Sequence, residues 1–153
     1  MLSKRLDNVS PSVTVGISSK VKEMRANGID VISLSIGEPD FNVPERAKEY
    51  GKKSLDDNKT KYDFPAGILE LRQEICKKLK KENNIDYSPD QIVLSSGAKN
   101  SITNVLLVTT DPGSEVLLPL PYWVSYSEMV KVVNAVPVEV KTSKENNFKV
   151  TRE

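Results

Sequence analysis

A glycine separates two kinds of pattern at residues 93–99, where the sequence reads VLSSGAK. The apolar residues before it are typical of a buried strand, and the residues after it have a helical period. In open α/β sheets, ligands bind beyond the carboxyl ends of strands, where helices begin. The free N–H groups and partial positive charge of a helix N-terminus suit a phosphate. The segment indicates either a phosphate-binding turn around Gly97 or a plain strand-to-helix turn, and it matches neither a P-loop nor a GxGxxG fingerprint.

The only tryptophan of the chain, Trp123, lies in the aromatic segment PYWVSY, directly after the apolar segment EVLLP at residues 115–119. If that segment is a strand, Trp123 follows its carboxyl end, as Gly97 follows another. A flat aromatic side chain there could stack on a planar heterocycle. The alternative is an aromatic residue of the core or of an interface. A phosphate turn beside an aromatic platform favours a ligand in which an aromatic ring carries a phosphate.

A second glycine follows an apolar segment in ISLSIGEPDF. Gly37 opens the sequence Gly-Glu-Pro-Asp, which is typical of a turn. A glycine at this point also lets the backbone approach a small substrate closely.

Composition excludes several kinds of chemistry. The 153 residues contain no histidine and a single cysteine, Cys76, so that Ser-His-Asp systems, His-ligated metals and internal disulfides are ruled out within these residues. The 22 basic and 21 acidic residues give a net charge of +1, which argues against nucleic acid as a partner. No apolar stretch is long enough for a membrane span or has the form of a signal peptide, so we expect a cytoplasmic protein without membrane contact.

The periodicity predicts the elements that would position these residues. After a polar, extended arm at residues 2–11, helices are predicted at 13–27, 44–57, 68–83, 99–109 and about 126–133, and strands at 31–35, 92–96, 115–119 and 136–140. The last three strands alternate with helices of crossover length. The predicted fold class is therefore α/β, with a mainly parallel sheet that is covered on both faces.

Four motifs in order, SLSIGEPDF, KTKYDFPAGILELR, VLSSGAKNSI and DPGSEVLLPLPYWVSYSEMV, resemble the class I and II aminotransferases. The likeness is greatest to the bacterial aspartate aminotransferase branch, which uses pyridoxal 5'-phosphate. It implies the large domain of a fold type I pyridoxal-phosphate transferase, a three-layer α/β/α structure. It also implies a division of the chain, with an N-terminal arm and small-domain segment at residues 1–43 and a truncated, N-terminal part of the large domain at 44–153.

The resemblance assigns a role to each matching position. Gly97, Ala98 and Lys99 match the turn that binds the cofactor phosphate, largely through backbone N–H groups. Trp123 matches the aromatic residue that stacks on the pyridine ring. Tyr62, in KTKYDFPAG, matches the tyrosine that reaches across a homodimer to the cofactor phosphate of the other subunit.

The resemblance also implies substrates and a missing residue. Gly37 matches the glycine that lies close to the α-carboxylate of the substrate, and Trp123 is the second expected substrate contact. The expected reaction transfers the amino group of an amino acid, with aspartate favoured, to a 2-oxo acid. The lysine that forms a Schiff base with the cofactor is expected beyond residue 153, so that this chain alone would be inactive. The alternatives are a pyridoxal-phosphate lyase or synthase of the same fold, and an inactive binding or interaction module.

Overall fold

The computed structural model describes residues 3–35 and 37–151. Two compact units make up the chain: Met1–Ile36 with Ser96–Glu153 form the first, and Gly37–Ser95 form the second. Met1 and Leu2 of the predicted arm lie outside the described residues. The assignment of residues 1–43 to an arm and a small-domain segment, and of 44–153 to a large domain, stays a prediction.

The helices and strands follow the predicted order. They are α1 (Val13–Ala26), α2 (Glu45–Asp56), α3 (Leu69–Lys78), α4 (Ala98–Thr109), β1 (Glu115–Pro119), α5 (Ser125–Val132) and β2 (Val136–Val140). Short 3-10 helices occupy Lys4–Leu6 and Pro89–Gln91, and a π-helical turn at Leu79–Asn83 extends α3. The five predicted helices are confirmed to within about two residues at most ends, with α3 changing to π geometry in its last turn. The predicted arm is not wholly extended, because its start forms a 3-10 turn.

The core of the first unit lies between α5 and a parallel sheet. Strands β1 and β2 pair in parallel, with Glu115 opposite Val136 and Pro119 opposite Val140, and α5 connects them. Val130 of α5 is only 1% exposed and packs with Val133 and Ala135, while Leu106 of α4 and Val116 of β1 pack against this cluster. A β-α-β unit of this kind was predicted from the alternation of apolar segments, and it is confirmed for the last two strands.

Two predicted strands do not form in the described residues. Residues 31–35 have no strand pairing, and Leu34 is 95% exposed. The predicted strand at 92–96 is an extended segment without a ladder, in which the N–H of Leu94 donates to the carbonyl of Ala66, a loop residue, at 2.9 Å. A strand is defined by the hydrogen bonds of a neighbouring strand, and here neither segment has one. The sheet of the described residues accordingly has two strands, not the three or more that were expected.

Among residues 3–35 and 37–151, every helix is too short or too polar to cross a membrane.

Candidate functional site

The predicted phosphate turn is a helix N-terminus without a side-chain cap. Gly97 precedes the first residue of α4 with φ 85° and ψ 162°, a conformation that favours glycine, and a Cβ on it would meet no atom within 4 Å. Its carbonyl accepts the N–H groups of Asn100 and Ser101 at 3.1 and 3.2 Å. Within the part of the chain that the structure describes, the N–H groups of Ala98 and Lys99 have no acceptor. The turn therefore presents two free donors beside open space.

Trp123 lies at this helix N-terminus. The Nζ atom of Lys99 is 4.8 Å from the centroid of the indole ring, within cation–π range, and the ring of Tyr126 meets the indole edge-on at 5.5 Å. The exposed fraction of Trp123 is 45%, which leaves indole surface open to a ligand. The structure thus brings together Gly97, Ala98, Lys99 and Trp123, as the sequence predicted, while their binding roles stay a prediction.

A cavity of about 600 Å³ opens beside these residues in the first unit. One wall is the N-terminal segment from Ser10 to Val13, and the others come from α4, the end of β1 and α5. Lys99 and Thr103 line it from α4, and Tyr122 lines it from the aromatic segment. Sequence reasoning did not place the N-terminal segment or Thr103 in this site, because no local pattern indicates which distant elements will enclose a cavity.

Glu128 of α5 holds the N-terminal wall of the cavity in place. Its Oε2 atom accepts the backbone N–H of Ser10 at 2.7 Å, and its Oε1 atom accepts Nζ of Lys131 at 2.8 Å. The Lys131 bond, supported by the Ser10 N–H, lowers the pKa of Glu128 although partial burial opposes the shift. The carboxylate therefore stays ionised and keeps both hydrogen bonds at neutral pH.

Tyr122 carries a second polar contact next to the cavity. Its hydroxyl donates to Oε1 of Glu139 on β2 at 2.7 Å, and this bond raises the pKa of the phenol. The hydroxyl of Tyr122 is therefore neutral at physiological pH and remains a donor.

The other two predicted site residues belong to the second unit. Tyr62 has a fully exposed side chain. Gly37 is exposed as well, and a Cβ built on it would meet nothing within 4 Å. No contact among the described residues of this chain therefore requires a glycine at position 37 or holds the hydroxyl of Tyr62.

The family described as Aminotransferase class I and II matches residues 29–153. The chain belongs to this family. The resemblance read from the four motifs is thereby confirmed.

Individual members of the family match almost the whole chain. A probable aspartate/prephenate aminotransferase of Aquifex aeolicus is 46% identical over 152 residues, which are 99% of this chain and 39% of that protein. The aspartate aminotransferase of Bacillus subtilis is 42% identical, with 99% of this chain and 39% of that protein covered. The chain therefore spans about two fifths of the length of these relatives and corresponds to their N-terminal part.

Solved structures confirm the fold class. An aspartate aminotransferase from Thermus thermophilus with maleate superposes with a TM-score of 0.93 at 41% identity, covering 99% of this chain and 40% of that one. The aspartate aminotransferase from Rhizobium meliloti gives 0.91 at 33% identity, covering 99% and 38%. The prediction of a fold type I transferase, present in part, is correct.

Proposed function

We propose that this chain is the N-terminal, cofactor-holding part of a pyridoxal-phosphate-dependent aminotransferase. The enzyme would transfer the amino group of an amino acid, with aspartate as the favoured donor, to a 2-oxo acid. The relatives named above, aspartate and aspartate/prephenate aminotransferases, support transamination and this donor. The observation that carries the proposal is the uncapped N-terminus of α4 at Gly97, with Trp123 beside it.

The residues of the turn fit a phosphate that is attached to a flat ring. Two unpaired N–H groups and the positive end of α4 match the charge and the acceptors of a phosphate. The open space at Gly97 allows the phosphate to approach the backbone. Trp123, with indole surface exposed, offers a plane on which a pyridine ring can stack.

When bound, pyridoxal phosphate would supply a conjugated ring that draws electrons away from the substrate's Cα. The residues of this chain would bind and orient it. Ala98 and Lys99 would donate their N–H groups to the phosphate, and Trp123 would fix the plane of the ring. Tyr62 would donate its hydroxyl to a phosphate that is held by a second copy of the chain in a homodimer. Gly37 would let the backbone approach the α-carboxylate of the substrate closely.

The reactive amine is the group that this proposal does not find among residues 1–153. Lys99 belongs to the phosphate turn at the start of α4, so that we assign it to the phosphate end of the cofactor. We propose that the Schiff-base lysine belongs to the part of the enzyme that corresponds to the C-terminal three fifths of the relatives. Residues 1–43 would form the arm and small-domain segment, and residues 44–153 would belong to the large domain.

A matched pair of glycines tests the phosphate turn. Gly97 and Gly113 both have positive φ, 85° and 87°, and a Cβ at either meets nothing within 4 Å. Valine should strain the backbone at either position, because side chains rarely adopt a positive φ, at a cost on the order of 1–3 kcal/mol. We expect Gly97→Val to weaken pyridoxal-phosphate binding by about tenfold or more, which corresponds to the loss of one or two hydrogen bonds to a charged group. Gly113→Val should leave the affinity unchanged.

Binding in the intact protein would be measured by equilibrium dialysis and by quenching of Trp123, the only tryptophan of residues 1–153, whose emission is isolated by comparison with a Trp123→Phe variant. Thermal melting of both variants shows whether the two valines destabilise the fold equally. If Gly97→Val and Gly113→Val change affinity and stability in parallel, the turn is only structural. If dialysis shows binding while Trp123 emission stays constant, the stacking role of Trp123 is wrong.

A further inference from the structure

Arg72 of α3 is a buried charge to which the proposed function gives no role. It is 7% exposed and is the one buried charged residue among the described residues. Its Nε donates to the carbonyl of Gly67 at 2.9 Å, and its Nη1 donates to the carbonyl of Pro89 at 2.7 Å. The guanidinium carbon lies 5.1 Å from the centroid of the Phe64 ring. No carboxylate forms an ion pair with Arg72 in the described part of the chain.

A buried guanidinium without an ion-pair partner destabilises the folded state unless its N–H groups donate hydrogen bonds. Arg72 donates them to backbone carbonyls, which belong to two segments that are distant from each other in the sequence. The planar fork of arginine suits this role, because it fixes the direction of each acceptor and stacks on an aromatic face at the same time. Lysine keeps the charge but has neither the plane nor the fork.

The segment that Arg72 fixes on one side is the loop from Asp63 to Gly67. Within it, the N–H of Gly67 donates to the carbonyl of Phe64 at 2.8 Å, and Oδ1 of Asp63 accepts the N–H of Phe64 at 2.6 Å. The carbonyl of Ala66 accepts the N–H of Leu94 at 2.9 Å. Four of the five residues of this loop, all except Pro65, are thus held by hydrogen bonds or by the stack of Phe64 on Arg72.

Tyr62 directly precedes this fixed loop and has no hydrogen bond of its own among the described residues, with its side chain fully exposed. The backbone of Tyr62 is therefore restrained on its C-terminal side by the loop that follows it. A freely rotating exposed tyrosine would lose more conformational entropy on contacting a ligand than one whose backbone is already fixed.

We propose that Arg72 is a positioning residue for cofactor binding: by holding the loop 63–67 through Gly67 and Phe64, it aims Tyr62 at the phosphate. This inference rests on the proposed function, in which Tyr62 contacts a phosphate that is bound to a second copy of the chain. Arg72 itself touches neither cofactor nor substrate.

The test compares two ligands that differ only in the phosphate. Dissociation constants of pyridoxal phosphate and of pyridoxal are measured by equilibrium dialysis for the intact protein, for Tyr62→Phe, for Arg72→Lys and for the double variant. We expect the affinity for pyridoxal phosphate to fall about tenfold in Tyr62→Phe and about three- to tenfold in Arg72→Lys. The affinity for pyridoxal should be unchanged in both variants. The double variant should bind pyridoxal phosphate no more weakly than Tyr62→Phe, because the two residues act through one contact.

Arg46→Lys is the matched control. Arg46 also lies over an aromatic ring, that of Tyr50 at 5.6 Å, but it is exposed on α2 and bonds no loop carbonyl. Arg46→Lys should leave the affinities for pyridoxal phosphate and for pyridoxal unchanged. Hydrogen exchange of a peptide covering residues 61–67 should become faster in Arg72→Lys and stay unchanged in Arg46→Lys. If Arg72→Lys does not fold, Phe64→Leu, which removes the stack alone, should give the same selective loss to a smaller extent.

The outcomes separate the inference from the proposed function. If Tyr62→Phe leaves the ratio of the two affinities unchanged, the assignment of Tyr62 is wrong and the role of Arg72 fails with it. If Tyr62→Phe changes that ratio while Arg72→Lys only lowers the melting temperature, Tyr62 keeps its role and Arg72 is merely structural. Additive effects in the double variant also overturn the inference.

Discussion

At the scale of single residues, Glu128 joins two parts of the chain that are 118 residues apart. One carboxylate oxygen accepts the N–H of Ser10, and the other accepts Nζ of Lys131. The side chains of Glu128 and Lys131 are 26% and 28% exposed, so that water screens their attraction only in part. Because Ser10 begins the wall of the cavity, this carboxylate keeps that wall against α5.

Glu128 should make the stability of the first unit depend on pH. Its pKa is lowered from 4.5 in the folded state, chiefly by Lys131 and with the Ser10 N–H in support. A lowered carboxyl pKa contributes stability above the ordinary value, and the contribution is lost as the pH falls through the folded pKa. We expect Glu128→Gln to cost about 1–2 kcal/mol at pH 7 and progressively less below about pH 4.5.

Melting of both proteins from pH 7 to pH 3 measures this difference. Glu115→Gln is the control, since Glu115 is an exposed carboxylate of β1 with no ion pair or hydrogen bond from its side chain among the described residues. Glu115→Gln should not show a loss of stability that shrinks as the pH falls. If the loss of stability in Glu128→Gln is the same at every pH from 7 to 3, the charge of Glu128 does not hold the N-terminal segment.

Residues of the site differ in how far the sequence predicts them. Gly97 and Trp123 could be found because each follows an apolar segment whose end a local pattern marks. Arg72 could not, since its acceptors, Gly67 and Pro89, lie 5 and 17 positions away and nothing in ILELRQEICKK separates it from the neighbouring surface lysines. A buried arginine is recognised only when its long-range partners are known.

At the scale of elements, the loop between α2 and α3 depends on a glycine for two reasons. Gly67 has φ +100°, and a Cβ on it would lie 2.3 Å from Cδ1 of Leu94 and 2.9 Å from its Cβ. Gly28, after α1, has φ +77° but meets nothing within 4 Å. Alanine at position 28 therefore meets only the backbone penalty, whereas alanine at position 67 meets the penalty and an overlap.

We expect Gly67→Ala to destabilise the protein by about 2–4 kcal/mol and Gly28→Ala by about 1–2 kcal/mol. Urea unfolding of the two variants measures both values. The double variant Gly67→Ala, Leu94→Ala, compared with Leu94→Ala alone, should recover part of the loss, because it removes the atoms that overlap. Equal destabilisation by the two single variants would mean that Leu94 moves aside at little cost.

The elements that sequence reasoning predicted correctly are those whose partners are near in the sequence. Strands β1 and β2 flank α5, and each has the other as its neighbour. The segments at 31–35 and 92–96 have the composition of strands but no strand beside them in the described residues. The helical period of α4 predicts that Val105 faces inward, and this prediction is wrong: Val105 is 57% exposed, and Leu107 and Val108 of the same helix are 55% and 81% exposed. Periodicity identifies a strand or the apolar face of a helix. Whether the strand pairs and whether the helix face is buried depends on the neighbouring elements.

At the scale of the whole molecule, much apolar surface is exposed. Large apolar side chains that are more than half exposed occur on several elements, including Val13, Leu55, Val105, Val108 and Leu117. Contiguous exposed apolar surface and free strand edges favour association between proteins. The relatives, which are about two and a half times as long, have further chain that could cover equivalent surface.

The 153-residue chain, expressed by itself, should therefore hold cofactor weakly and have no transaminase activity. It offers phosphate donors and a stacking surface, but Lys99 belongs to the phosphate turn, and the Schiff-base lysine is proposed to lie in the C-terminal part of the enzyme. We expect no turnover of aspartate with 2-oxoglutarate. After incubation with pyridoxal phosphate and borohydride reduction, peptide mapping should find sparse labels on several exposed lysines. The full-length Bacillus subtilis aspartate aminotransferase, treated in the same way, is the positive control. Stoichiometric labelling of one lysine within residues 1–153, together with measurable turnover, would show that these residues suffice for catalysis and that the assignment of Lys99 to the phosphate end must be revised.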